Sequence, residues 1–308
     1  MDLSPLPFTL RQLQYVVAVA EARSFSRAAA VCHVSQPSLS AQVAEVESSL
    51  GVRLFERDRA GVLLTPAGEA LVDRARQVLV EARDLAQDAR RFMDPLAGTL
   101  RIGVIPTIAP YLLPDLLAPL REKFPKLTLL WTEEKTDELV SRLGRGELDA
   151  ALVALEADLG DLEHEALFHD PFVVALPKEH PLARGKSALR LEDLAGEQVL
   201  LLDDGHCFRE QVLGLCTRER IDEADFRATS LPTLVQMVTA GVGVTLLPKL
   251  AVAAEQGRAN LALRPLPPPA PGRTVALAWR RRSPFGDSLR QLAATMRKAP
   301  RARGQSRM

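Results

Sequence analysis

Two cysteines and a histidine crowd into "DDGHCFREQVLGLC" (203–216), in a chain of 308 residues that holds three cysteines in all. Cys207 directly follows His206 and stands two positions before Arg209; Cys216 lies nine residues further on. A thiol reacts as its thiolate, so a nucleophilic cysteine needs a lowered pKa. Three sources are at hand: the Arg209 charge, a hydrogen bond from His206, and the start of a helix over "CFREQVLGLC". Asp203 and Asp204 oppose these unless they face solvent. Three readings of the pair stand open here: two inert thiols packed in a helix, a metal site with His206, or a reactive thiol with a partner. The metal reading lacks a fourth nearby ligand and C-x-x-C spacing, so no metal and no cofactor is expected. Three cysteines do not make a disulfide scaffold, and a close pair in a reducing cytoplasm is more often reactive or metal-binding than a permanent staple.

The elements that must position this segment come from an ordinary globular composition. Apolar residues make up 47% and charged residues 25%, with Lys+Arg and Asp+Glu both at 39. The balance advertises no charged partner, but the length allows two or three domains. No stretch reaches the 18 or more apolar residues of a membrane span, and "MDLSPLPFTLRQLQYVVAVA" lacks a basic leading segment. A cytoplasmic protein without a membrane partner is expected.

Residues 8–64 read as short helices and a turn. "FTLRQLQYVVAVAEARS" has helical spacing with Thr9 as N-cap, and "SFSRAAAVCHV" is an Ala-rich second helix. "SQPSLSAQVAEVESSLG" is a third, capped by Ser35, with Pro37 in its first turn and Gly51 as its left-handed stop. "VRLFERDRAGVLLTP" reads as two short strands around a turn near Ala60-Gly61. Residues 66–93 form a long helix whose apolar positions alternate by four and three: Leu71, Ala75, Val78, Ala82, Leu85, Ala89, Phe92. That heptad seam predicts a dimerising helix, with packing on its own domain as the plainer alternative. From residue 100 onward, apolar strands ("LRIGVI", "LTLLW", "AALVAL", "FVVALP", "EQVLLLD", "GVTLLP", "TVALAW") alternate with helical patterns. They predict two mainly parallel sheets covered on both faces. Asp170–Pro171 and "RPLPPPAPGR" (264–273) are the natural crossings between them. The basic tail "RKAPRARGQSRM" carries no assigned role. Cys32 reads as a packed residue, and His33, His164, His169 and His180 as structural or solvated.

Helix, turn, capped helix, hairpin and long helix are the parts of a winged helix-turn-helix, whose second helix presents its first turns to base edges. Ser35, Gln36, Pro37, Ser38, Ser40 and Gln42 occupy that start, with hydroxyls and amides suited to bases and phosphates. Arg53, Arg57 and Arg59 on the hairpin suit phosphates. The run "SFSRAAAVCHVSQPSLSAQVAEVESSLGVRLFERDRAGVLLTPAG" (24–68) strongly resembles the DNA-binding domain of LysR-type transcriptional regulators. Many relatives carry basic residues mid-helix where this chain has Glu45 and Glu47. The resemblance implies a winged helix-turn-helix DNA-binding domain (1–66), a linker and dimerisation helix (67–94), and an α/β effector domain (95–308). The effector domain would comprise two periplasmic-binding-protein-like subdomains: I, residues 95–170 and 274–300; II, residues 171–273.

Within that family, "IPTIAPYLLP" (105–114), "DDGHCFREQVLGLC", "FRATSLPTLVQMVTAGVGVTLLP" (226–248) and "RTVALAWR" (273–280) are similar to the branch that senses hydrogen peroxide. The resemblance now covers nearly the whole chain. It implies Cys207 as the peroxide-reacting thiol, Cys216 as its resolving partner, and Thr107, Thr136, His206, Arg209 and Arg273 as lining the peroxide pocket. It also implies binding of double-stranded DNA, a homotetramer built from dimers, RNA polymerase as a partner in activation or repression, and a thiol reductant that resets the switch. If 207–216 is one helix, the cysteines lie roughly 13 Å apart along its axis. A disulfide needs Cα atoms within about 7 Å, so oxidation must bend or unwind the segment, and Gly214 eases that. Closing so short a loop is worth near 3 kcal/mol in the entropic account, a scale at which either redox form can win. A metabolite-responsive regulator of the same fold and a thiol peroxidase are the competing functions; the expectation is a regulator, not an enzyme.

Overall fold

The computed structural model describes residues 6–58, 61–91, 96–185, 187–219, 221–257 and 259–298, and the side chains of 57, 58, 61, 87–91, 218 and 219 are not among them. The chain forms two compact units, residues 1–93 and 94–308.

The first unit opens with α1 (Leu10–Ala22), where the Thr9 hydroxyl accepts the Gln12 N–H and the Gln12 side chain reaches back to the Thr9 N–H. This reciprocal cap satisfies donors that a helix start otherwise leaves open. Ser24 caps α2 (Phe25–Val31) and Ser35 caps α3 (Gln36–Leu50), which ends at Gly51 with φ of 70°. Leu39, Val43 and Val46 recur at helical spacing and are buried, so α3 packs one face on Val16, Val19 and Ala28 and leaves the other outward. β1 (Phe55–Asp58) and β2 (Gly61–Leu64) form an antiparallel wing. Phe55 meets Phe25 edge to face at 6.0 Å. Cys32 is partly buried against this core.

α4 (Pro66–Arg91) divides the predicted seam. Leu71 packs against the first unit's core beside Val72, which lies off the seam, and Ala75 is buried, whereas Val78 and Leu85 are 44% and 73% exposed. The N-terminal turns thus serve their own unit, and the exposed apolar pair lies beyond them. Phe92, the Ala89 side chain, Arg59, the Arg57 side chain and the tail from 299 lie outside the described residues.

The second unit runs β3 (Gly98–Val104), α5 (Ala109–Lys123), β4 (Leu127–Glu133), α6 (Thr136–Gly144), β5 (Ala150–Ala154) and β6 (Leu162–Pro177). It continues with β7 (Gln198–Leu202), α7 (Cys207–Glu219), β8 (Asp222–Ala228), α8 (Leu231–Thr239), β9 (Thr245–Pro248) and α9 (Lys249–Gln256). β10 (Leu261–Pro265), β11 (Gly272–Arg280) and α10 (Gly286–Met296) complete it. The expected parallel pairing holds for β3 with β4 and β5, and for β7 with β8. It fails for β6 and β11, which pair antiparallel with each other, while β11 also pairs antiparallel with β5 and β6 with β9 and β10. The reason is connectivity. β6 is 16 residues long and carries the chain out of one core into a second, and β11 brings it back, so the two must run in opposite senses.

Those two cores are separate clusters. Leu100, Ile102 and Val104 of β3, the buried faces of α5 and α6, and Leu277, Trp279, Leu289 and Met296 make the first. Phe172, Leu200, Leu201, Phe208, Leu234 and Leu246 belong to the second. The passage between them falls at Asp170 paired with Arg273 and Pro171 paired with Gly272.

Candidate functional site

α7 begins at Cys207, after β7 ends at Leu202 and a turn over 203–206 in which Gly205 takes φ of +85°. All three cysteines are free thiols. α7 is one continuous helix from Cys207 to Glu219, so Cys207 and Cys216 stand about 13 Å apart along its axis. They also belong to different surroundings. Cys216 is 3% exposed inside the second core, whereas half-buried Cys207 packs against the first. A bond between them takes one thiol out of its packing.

The residues around the Cys207 sulfur come from distant parts of the chain. Thr136, the first residue of α6, is buried, and its hydroxyl makes no hydrogen bond. That hydroxyl lies near enough to the Cys207 sulfur to favour its thiolate. Arg273, at the start of β11, is completely buried. Its Nη1 donates to Thr107 Oγ1 at 2.6 Å, its Nη2 to the Thr107 carbonyl at 2.9 Å, and its Nε to Asp170 Oδ2 at 3.1 Å. The other Asp170 oxygen accepts the Leu250 N–H at 2.8 Å. The guanidinium also lies over the Phe208 ring at 5.7 Å. Thr107, Thr136, Arg273 and Cys207 are thereby gathered at the passage between the two cores.

The sequence expects a lowered Cys207 pKa; the structure raises it above the ordinary thiol value, and burial is the leading cause. The Thr136 hydroxyl, the Arg273 charge and the Phe208 N–H favour the thiolate, in that order, and Glu156 opposes it. Desolvation of a nearly enclosed sulfur outweighs them. Arg209, expected to supply the charge, is turned elsewhere. Successive helix positions advance by about 100°, so residue 209 projects roughly opposite to 207. Its guanidinium holds Glu223 through two bonds of 2.8 and 3.2 Å and meets Asp204 Oδ1 at 3.0 Å. His206 is buried, with Nε2 at 3.0 Å from Asp203 Oδ1. Burial first, and the nearby Lys135 charge second, depress its pKa against the opposing pull of Asp203. Cys216 is pushed up to about 11 by burial and by Glu223.

Three residues of this site escape sequence reasoning. Asp170 was legible only as a crossing point, and nothing marked Lys135, which bonds the 203–204 turn. Gln211 carried a signal: one helical turn after Cys207, it shares that face of α7, and both atoms of its amide are buried without partners.

On the first unit, Ser35, Gln36, Pro37 and Ser38 are exposed at the start of α3, and Ser40 and Gln42 are half-buried. Arg53 is exposed beside the wing. The two acids of α3 are structural. Glu47 Oε1 accepts the N–H groups of Leu54 and Phe55 at 2.7 and 3.1 Å, tying the helix to the wing. Glu45 Oε2 accepts from Gln12 of α1 at 3.0 Å and from Gln42 at 3.2 Å.

Comparison with known proteins places both units. Residues 10–69 match the model described as "Bacterial regulatory helix-turn-helix protein, lysR family", and residues 94–301 match "LysR substrate binding domain". The "DNA-binding transcriptional dual regulator OxyR" of Escherichia coli K12 is 44% identical over 289 residues, 94% of each chain. Among solved structures, a cysteine-to-aspartate variant of full-length OxyR from Pseudomonas aeruginosa aligns with a TM-score of 0.76 at 39% identity, covering 95% of each chain. A cysteine-to-serine variant of Corynebacterium glutamicum OxyR with H2O2 bound aligns with a TM-score of 0.66 at 36% identity, covering 96% of this chain and 93% of that one. No described helix is long and apolar enough to cross a membrane.

Proposed function

Because the chain belongs to the LysR family of bacterial transcriptional regulators, we propose that it is a hydrogen-peroxide-sensing, DNA-binding regulator whose switch is the Cys207–Cys216 thiol pair. The observation that carries this reading is the setting of the Cys207 sulfur. It lies near a buried, unpartnered Thr136 hydroxyl beside the Arg273–Thr107–Asp170 network, while its partner thiol is held in a different core. Peroxide is small and both donates and accepts hydrogen bonds. Thr136, Thr107 and Arg273 offer it those functions.

The chemistry balances without a cofactor. The Cys207 sulfur attacks one peroxide oxygen, the O–O bond breaks, and the thiol proton leaves with the departing oxygen as water. Sulfur is oxidised by two electrons to the sulfenic acid. Attack by the Cys216 sulfur then forms the S–S bond and releases a second water. A thiol reductant returns two electrons and two protons to reset the pair. Each subunit consumes one peroxide per cycle, which suits a sensor, and a thiol peroxidase would instead turn over continuously. Arg209 serves this site through Glu223 and Asp204, by fixing the turn ahead of Cys207.

On DNA, Ser35, Gln36, Pro37, Ser38, Ser40 and Gln42 would meet the major groove and Arg53 the backbone. The exposed Val78 and Leu85 of α4 favour pairing of subunits through this helix, as dimers assembled into a homotetramer that engages RNA polymerase in the cytoplasm. Thiol peptide mapping after one equivalent of peroxide tests the core of the reading. The expected product is a 207–216 link, lost together with the transcriptional response in Cys207→Ser. A response that survives that substitution would favour a metabolite-controlled regulator.

A further inference from the structure

One side chain from the first core's elements grips the turn that carries Cys207. Lys135, immediately before α6, sets its ammonium 3.3 and 3.2 Å from the two Asp203 carboxylate oxygens and 2.6 Å from the Asp204 carbonyl. Its stem runs close under the same turn, where a Cβ added at Gly205 would come within 3.2 Å of Lys135 Cδ. Asp203 in turn holds His206 Nε2 at 3.0 Å. The next residue along from Lys135 is Thr136, whose hydroxyl faces the Cys207 sulfur. Consecutive residues of one segment therefore hold the backbone before α7 and the sulfur at its start.

We propose that Lys135 is a positioning residue, a clamp that seats Cys207 against Thr136 in the reduced protein and must release before Cys207 can reach Cys216. The proposal rests on the peroxide-sensing reading and assigns its two steps opposite demands on one contact. Oxidation of Cys207 to the sulfenic acid, with water as the leaving product, requires the sulfur to stay beside Thr136. Disulfide formation, with loss of the second water, requires α7 or the turn before it to leave that position. Lys135 acts on the position of Cys207 through Asp203, Asp204 and Gly205. A releasable clamp calls for a contact of moderate strength, and this ion pair fits: its side chains are 40% and 34% exposed, so solvent and salt screen it. The Arg273–Asp170 pair, by contrast, is fully enclosed.

The test compares Lys135→Met, which keeps the stem without the charge, with Lys135→Arg, which keeps both. In the reduced full-length protein, backbone amides of 204–209 are expected to exchange with solvent about two- to fivefold faster in Lys135→Met, and close to wild type in Lys135→Arg. The His206 ring, relieved of one positive neighbour and still facing Asp203, titrates at higher pH in Lys135→Met and returns in Lys135→Arg. With hydrogen peroxide added, Lys135→Met loses its Cys207 thiol more slowly, while its sulfenic acid, trapped with a cyclic 1,3-dione, persists for a shorter time. Unchanged exchange and an unchanged His206 titration overturn the clamp, and so does an equal slowing of both chemical steps. If wild type itself forms neither sulfenic acid nor the 207–216 link, the sensing reading fails, and exchange and titration alone decide for or against the clamp.

Discussion

Positions 207 and 209 sit about 200° apart around α7, and that angle decides which nearby charge the reactive thiol feels. The sequence places Arg209 two residues from Cys207; the helix points it at Glu223 and Asp204 instead. The cation that does act on the sulfur, Arg273, arrives from 66 positions away through β11. Cys207, Cys216, Thr107 and Arg273 stand in long motifs and could be singled out from the sequence, whereas Thr136 stands in a stretch that resembles the family only loosely. The balance of forces was not legible, because burial is a property of the folded surroundings. Its consequence is testable. With the thiol pKa raised, the reactive thiolate is scarce at neutral pH and grows as pH rises. The rate of Cys207 oxidation by peroxide, followed by stopped-flow thiol loss, should keep climbing from pH 6 through the ordinary thiol range, by up to about tenfold per pH unit. A plateau already reached below neutrality would show a lowered pKa instead. The Thr136 hydroxyl is the largest of the groups favouring the thiolate. Thr136→Val removes it at nearly constant volume and should slow oxidation by roughly twofold to tenfold, the net scale of one ordinary hydrogen bond. Thr136→Ser should retain most of the rate in the same assay.

At the scale of elements, the helices of the first unit were readable because caps are local. Thr9 and Ser35 each stand where the sequence puts an N-cap, and their hydroxyls accept the expected N–H groups, while the Ser24 cap of α2 emerges only in the structure. Glu45 and Glu47 read as departures from a basic helix face. Their partners, Gln12, Leu54 and Phe55, are fixed by tertiary contact, so their role could not be read from α3 alone. β6 was legible only in its second half, "FVVALP", since its first half alternates charged and apolar residues at the edge of the first core. α7 has the most direct link to function. It is unbroken in the reduced form although it contains Gly214, around which a Cβ would meet no atom within 4 Å. Glycine inside a helix costs about 0.5–1 kcal/mol relative to alanine. Gly214→Ala should therefore stabilise the reduced helix by that amount without a clash. The thiol–disulfide equilibrium would shift toward the dithiol by about two- to fivefold, or roughly 10–20 mV. Titration in a glutathione redox buffer with mass-spectrometric counting of the 207–216 link measures it, and an unchanged midpoint would mean that α7 need not unwind.

Across the second unit as a whole, the two-core plan followed from the alternation of strands and helices, and the mixed sheet did not. Strand direction depends on where the chain returns, and the return of β11 beside β6 is a long-range pairing that no local pattern announces. At that pairing the two cores are joined by a buried ion pair, Arg273 with Asp170, on which Thr107 and the Leu250 N–H also converge. Even with Arg273 in place, burial keeps the Asp170 pKa above the ordinary carboxylate value. The folded protein thus binds that proton more tightly than the unfolded chain does. Asp170 therefore favours folding most below the ordinary carboxylate range, and this contribution is lost as pH rises through the raised folded value. Replacing Arg273 with methionine leaves the carboxylate enclosed without its cation, and removing one partner of such a pair costs about 3–5 kcal/mol. Denaturant unfolding of the reduced protein should show that loss near neutral pH. It should also show part of the loss recovered as pH falls toward 5, because Asp170, its pKa now raised further, accepts a proton and no longer needs the guanidinium. The double variant Arg273→Met with Asp170→Asn, which carries no charge there, should be more stable than Arg273→Met alone at neutral pH and should lack this recovery. Equal stability of the two variants at neutral pH would mean that the passage between the cores does not depend on the ion pair.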